Sequence, residues 1–338
     1  MDRELEKLQF LGFFEIYREA YHITASSKKI FSQIALAFIL PLSLIYLAQF
    51  EISDLLFPKI MHNLRNLKYG VLELFWYHSI SELANFLIFQ VMYHIFLLVL
   101  SLLSTSAVAY TIACAYTTKE ISFKKVTSVV PAIWKRLLIT FLWAFLIMIL
   151  YNFFAILYAM LILVLVGVAL GRQSDGDGFH ILFHINIVIY TSGLAYIGVI
   201  WHLASVVSVL EESYGYKAIL KSKALIKGKT SIALVVFIEL QISFMVVLST
   251  FEILVTHGRI GVMGKVSLGI FCFLLLSFFI HFALVIQTVV YFVCKSYHQE
   301  HIDKSCLAEH LEAYDYVPLT EDRDIQLEEY EVMIESPP

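Results

Sequence analysis

The stretch Glu211-Glu-Ser-Tyr-Gly-Tyr-Lys-Ala-Ile-Leu-Lys-Ser-Lys-Ala-Leu-Ile-Lys-Gly-Lys229 lies between two long apolar runs and reads as a short amphipathic helix. At about 100° per residue, Gly215, Ala218, Ile219, Ser222, Leu225 and Ile226 fall on one side, and Lys217, Lys221, Lys223 and Lys227 on the other. Gly228 sits where a helix would end, and two acids sit where it would begin. A small apolar face opposite a cationic one predicts a helix lying on a membrane surface. A solvated loop that obeys the positive-inside rule is the plainer alternative.

Two partial copies of this stretch occur earlier in the chain. Ninety-three positions back, Phe123-Lys124 aligns with Tyr216-Lys217, Val126 with Ile219, Ile133 with Ile226 and Arg136 with Lys229. At 198 positions back, Ala20 aligns with Ala218, Thr24 with Ser222, Lys29 with Lys227, and Ile34-Ala35-Leu36 with Ile232-Ala233-Leu234. Each copy immediately precedes an apolar run, so the pattern predicts a threefold repeat.

With 59% hydrophobic and 15% charged residues over 338 positions, and a mean hydropathy of +0.78, the chain has too little polar surface for a soluble domain of its size. It reads as a polytopic membrane protein. Cys114, Cys272, Cys294 and Cys306 form no C-x-x-C and no His-Cys cluster, so neither a disulfide framework nor a zinc site is predicted. The net charge of −4 conceals a polarised chain. Residues 299–338 hold 12 acids and 2 bases, net −10, which leaves +6 on the remainder.

The predicted spans are residues 30–50, 83–115, 137–170, 179–210, 231–255 and 266–293. Pro41 is placed to kink the first. The second and third each exceed 30 residues but contain no turn cluster, so each reads as one long helix. Counting Lys and Arg by side, 18 of 24 fall on the N-terminus, the second and fourth loops and the C-terminal segment, which puts both termini in the cytoplasm. The predicted fold is all-α, a polytopic helical bundle of six transmembrane helices. They are arranged as three hairpins, each preceded by a cytoplasmic amphipathic helix. Residues 1–29 form the N-terminal amphipathic segment, 30–294 the membrane domain, and 295–338 an acidic segment that reads as disordered.

Two parts of the chain resemble known families. Leu11-Gly-Phe-Phe-Glu-Ile-Tyr-Arg-Glu-Ala20 with Lys29-Ile-Phe-Ser-Gln-Ile-Ala-Leu-Ala-Phe-Ile-Leu-Pro-Leu42 resembles the opening of a plant family of uncharacterised multi-pass membrane proteins. Glu212-Ser-Tyr-Gly-Tyr-Lys-Ala-Ile-Leu-Lys-Ser222, continuing to Gly228, is similar to a signature of bacterial six-span membrane domains, including those beside glycerophosphodiester phosphodiesterases. The resemblance implies an architecture and carries no catalytic motif; nothing in the chain matches the phosphodiesterase module itself.

Glu239 and Glu252 are the acids within the predicted spans. An ionised group at the depth of Glu239 costs about 2.5–3.5 kcal/mol on insertion scales, so a polar partner is expected. Gln287 is the natural choice by depth, and Gln90, His94, Asn152 and His281 are further candidates. These six residues read either as a polar path for a headgroup or ion or as helix-packing contacts. Gln90, His94, Ser101 and Thr105 share one face of the second span. His180 and His184, with Asp175 and Asp177 before them, have the spacing of a metal site, but histidines and aspartates at a membrane boundary are usually solvated, and no metal or other cofactor is predicted. The C-terminal segment carries Tyr-x-x-apolar patterns at Tyr316 and Leu319 and at Tyr330 and Met333, which resemble adaptor sorting signals. Lys217, Lys221, Lys223, Lys227 and Lys229 form the interfacial basic helix.

No phosphate loop, nucleophile elbow or Ser-x-x-Lys occurs, and the chain reads as a non-enzyme. The sequence predicts a membrane-organising or partner-holding protein of the endoplasmic reticulum or another endomembrane, or of the plasma membrane. Its expected partners are membrane lipids with anionic headgroups, and a protein partner for the acidic segment; nucleic acid is not expected. A lipid or small-solute transporter or scramblase is the alternative.

Overall fold

A chain this apolar must satisfy its backbone hydrogen bonds internally, which leaves helices or a closed barrel. The computed structural model describes residues 8–66, 72–117, 123–170, 176–258 and 261–298, and these contain helices but no strand. After a single 3-10 turn, α1 (Phe13–Ser26) and α2 (Lys28–Ile34) lead through a π turn (Ala35–Ile39) into α3 (Leu40–Asn66). Then follow α4 (Leu72–Thr117), α5 (Phe123–Leu170), α6 (Gly176–Leu210) and the short α7 (Tyr216–Leu225). Next comes α8 (Thr230–Phe251), closed by a second π turn (Glu252–Thr256), and then α9 (Val262–Tyr297).

Among the described residues, six segments are long and apolar enough to cross a membrane: Lys28–Ser53, Ala84–Thr117, Ile133–Ile162, Ile181–Leu210, Thr230–Thr256 and Val262–Tyr297. They fall on the six runs expected from the sequence. The two longest runs are single helices, because nothing within them interrupts the backbone ladder. Pro41 does not break the first span. Lacking an N–H for the carbonyl four residues back, that of Ala37, it is separated only by Leu40 from the π turn that contains Ala37 and whose wider register accommodates the missing bond.

Two expectations about the amphipathic segments need correction. The copy at residues 123–136 is not a separate helix: α5 runs unbroken from Phe123 and passes through Pro131. Residues 211–229 are not one helix either. Glu211 to Gly215 forms a turn, helix begins only at Tyr216, and it ends at Leu225. Gly215, at φ 64° and ψ −137°, causes the late start, since that conformation is closed to residues with a Cβ.

The chain forms two compact units. One comprises Met1–His22, Ala109–Glu239 and Ile286–Pro338; the other comprises Ile23–Val108 and Leu240–Val285. In the first, α5 packs on α6, and α7 packs on both. Its core includes Ile133, Leu137, Leu203, Leu225, Ile226, Tyr291 and Phe292. In the second, the Ser43 and Ser277 hydroxyls bond at 2.6 Å, Tyr46 meets Phe244, and Phe31 meets His281. Small hydroxyl residues and aromatic edges thus close helix contacts, as expected where lipid offers no hydrophobic driving force between helices.

Candidate functional site: the lysine helix and its clamp

The six small or apolar residues of the lysine stretch, Gly215, Ala218, Ile219, Ser222, Leu225 and Ile226, are all buried in the first unit. The face expected to enter the bilayer is therefore occupied by α5 and α6. That corrects the picture of a helix lying free on the membrane. The packing is fixed at the N-terminal end by a hydroxyl relay. The Gly215 N–H donates to Thr140 Oγ1 at 2.6 Å, and Thr140 Oγ1 lies 2.7 Å from Ser208 Oγ. A side chain on Gly215 would also press on the Ile139 methyl at 3.2 Å.

Glu211 binds this helix to α9. One carboxylate oxygen accepts from Lys221 Nζ at 2.7 Å; the other accepts from Lys295 Nζ at 2.7 Å and from the Tyr291 hydroxyl at 2.6 Å. The Glu211 side chain is only 11% exposed, so solvent screens these contacts weakly. Burial alone would raise its pKa. The Lys295 charge and the hydrogen bonds from Lys221, Lys295 and Tyr291 outweigh that effect and hold the carboxyl below its ordinary value of 4.5.

The C-terminal end of α7 is closed by the last turn of α9. Gly228 has φ 88°, and a Cβ there would sit 2.3 Å from the Tyr297 ring. His298 Nε2 lies 3.0 Å from the Leu225 carbonyl and 2.9 Å from that of Lys227, so its N–H satisfies acceptors left open by the helix end. Lys229 Nζ stands over the Tyr297 ring, 5.5 Å from its centre.

Of the five basic residues named from the sequence, two are engaged within the protein: Lys221 by Glu211 and Lys229 by Tyr297. Lys217, Lys223 and Lys227 are exposed and make no ion pair among the described residues. The turn before them and the helix itself also expose Tyr214, Tyr216 and Leu220.

Each intramembrane candidate has its own local surroundings. Glu239 accepts a hydrogen bond from the Tyr17 hydroxyl of α1. Burial and the Glu239 carboxylate push the Tyr17 phenol above its ordinary value. Gln287 does not meet Glu239. Its amide donates to the His202 carbonyl at 2.6 Å and to Ser205 Oγ at 2.7 Å, and its Oε1 lies 3.0 Å from His202 Nδ1. His202 and Ser205 stand one turn apart on α6 and hold the amide on three sides, which explains the choice. Gln90 accepts from Gln49 at 3.0 Å, and His94 Nδ1 approaches the Gln90 carbonyl at 2.6 Å. Asn152 accepts from the Tyr190 hydroxyl at 2.7 Å. His281 is buried edge-on to Phe31, and its Nδ1 has no hydrogen-bond partner among the described residues. Tyr316, Leu319, Tyr330, Met333 and Asp175 lie outside the described residues, as does the His180 side chain.

Sequence reasoning passed over Thr140, His202, Ser208, Tyr291 and Lys295, and gave Glu211 only the part of a helix-start acid. Some signal was present: Tyr291 and Lys295 are four apart on one helix face, and His202 and Ser205 are three apart in an otherwise apolar run. What joins them to residues 80 or more positions away is tertiary.

No curated protein and no solved structure matches the chain. A family model described as "Domain of unknown function (DUF8558)" matches residues 1–330, and the chain belongs to that family.

Proposed function

We propose that this protein is a non-enzymatic, membrane-embedded organiser with both termini in the cytoplasm, and that it gathers anionic lipid headgroups against α7. The observation that carries this reading is the exposure of Lys217 and Lys223 on α7, and of Lys227 in the turn after it, on a segment whose other face is already taken up by the protein. With the main apolar face used in packing, and Tyr214, Tyr216 and Leu220 indifferent to headgroup charge, the preference for anionic over neutral lipid is electrostatic. Each lysine near an anionic surface contributes about 1 kcal/mol, so three give roughly a hundredfold preference. Lys221 contributes little because Glu211 neutralises it. The test is to reconstitute the protein in bilayers holding a small fraction of spin-labelled phosphatidylserine and to measure the motionally restricted fraction. Lys217→Gln, Lys223→Gln and Lys227→Gln should each lower selectivity about fivefold, and high salt should abolish it. Selectivity that is indifferent to all three substitutions would refute the reading.

A second reading, movement of lipid or a small solute along a polar intramembrane path, draws on one feature. A cavity of about 760 Å³ in the first unit is lined by Tyr151, Asn152, Asn186 and Tyr190 among apolar side chains. Loss of lipid movement in reconstituted vesicles on Asn152→Leu, with thermal stability kept, would favour it.

A further inference from the structure

We infer that the acidic C-terminal segment, residues 299–338, folds back onto the exposed lysine face formed by α7 and the turn after it, and covers Lys217, Lys223 and Lys227. That this coverage competes with lipid rests on the reading proposed above; the contact itself does not.

Three observations meet at this surface. The first is charge: the segment carries net −10 and the rest of the chain +6, so it is repelled by an anionic bilayer and attracted to the lysines. The second is the point of departure. His298, the last described residue, is held at the C-terminal end of α7 by the Leu225 and Lys227 carbonyls, with Tyr297 seated on Gly228. The acidic segment is therefore delivered to one end of the lysine face. The third is reach. Ten residues of helix, Tyr216–Leu225, measure ~15 Å. Five residues beyond His298 can already extend ~17 Å. Glu300 and Asp303 can reach Lys227 and Lys223, and Glu309 and Glu312 can reach Lys217 with chain to spare. A tether this short sets an effective concentration in the millimolar range, enough for an ion-pair surface of modest intrinsic affinity to stay covered. Such coverage is broken by salt, and also by anionic lipid dense enough to outcompete the tethered carboxylates.

The test uses the full chain in neutral-lipid nanodiscs with a water-soluble carbodiimide, which joins a lysine amine to a touching carboxylate by an amide bond. Peptide mapping should place Lys217, Lys223 or Lys227 on carboxylates of residues 300–335. The yield should fall severalfold in high salt or when phosphatidylserine is added. Cross-links confined to other lysines, such as Lys124, Lys125 or Lys135, or none at all, would overturn the inference. The lipid reading would then still be decided by the spin-label experiment on the lysine variants. A second arm keeps the chain at full length and lowers the segment's net charge from −10 to −2 by Glu300→Gln, Asp303→Asn, Glu309→Gln, Glu312→Gln, Asp315→Asn, Glu321→Gln, Asp322→Asn and Asp324→Asn. Phosphatidylserine selectivity should rise severalfold. Cross-links in the parent chain with unchanged selectivity in this variant would establish the contact and overturn the competition.

Discussion

The two ends of α5 and α6 differ more than their compositions do. Towards α7, Val130, Ile133, Leu137 and Ala144 on α5 and Leu203, Ala204, Val207 and Leu210 on α6 are buried. Towards the opposite end, Phe153, Phe154, Ile156 and Met160 on α5 and Ile181, Phe183, Val188 and Ile189 on α6 are exposed. Both ends are strongly apolar, and the span within α6 is the less hydropathic of the two yet much the more buried. In an apolar solvent hydrophobicity cannot distinguish inside from outside. What marks the packed end is polar and small: Thr140, Ser208, Gly215 and the Glu211 cluster. There α5, α6 and α7 pack together and Glu211 ties them to α9, whereas towards the other end α5 and α6 are held to each other by Tyr151, Asn152 and Tyr190.

The largest test of this contrast is Glu211→Ala. It leaves Lys221 and Lys295 facing each other without their shared carboxylate, and breaking a buried pair in this way costs roughly 3 kcal/mol. A large fall in the midpoint of thermal unfolding in detergent is expected; an unchanged midpoint would mean that the cluster does not hold α7 in place. Glu211 also gives the contrast a pH dependence. Because its folded pKa is lowered, its contribution is complete above the ordinary value of 4.5 and is lost as the pH falls through the depressed folded value. The wild-type midpoint should drop below about pH 4.5, and Glu211→Gln should lower stability at neutral pH while flattening that drop.

Next in size is the relay at the start of α7. Gly215→Ala forces a Cβ into a conformation reserved for glycine, at about 1–3 kcal/mol. Thr140→Val leaves the Gly215 N–H without its acceptor, at about 1–3 kcal/mol, while barely changing shape. Proteolysis between α6 and α8, followed over time, should accelerate in both variants. Equal resistance in Thr140→Val and wild type would show that packing alone sets the turn.

The smallest effect belongs to the other end. Tyr190→Phe removes the bond to Asn152, and hydrogen bonds between membrane helices average about 0.6 kcal/mol. A loss in thermal stability as large as that of Thr140→Val would erase the distinction drawn between the two ends.

The sequence by itself determined the helical class, because apolar runs of about 20 residues or more match a helical crossing and not the roughly ten-residue strands of a closed barrel. It also located six runs of sufficient length, and it identified which residues of the lysine stretch share a face, since helical periodicity is a local property. The tertiary structure decided what that face touches. Apolar residues at helical spacing are equally suited to lipid and to protein, and only the presence of α5 and α6 beside Ala218, Ser222 and Leu225 settles which. The pairing of Glu211 with Lys295, and of Gln287 with His202, was likewise beyond the sequence. No periodicity links positions 80 or more residues apart, and the choice among several polar residues of similar depth depends on how the helices are rotated against one another.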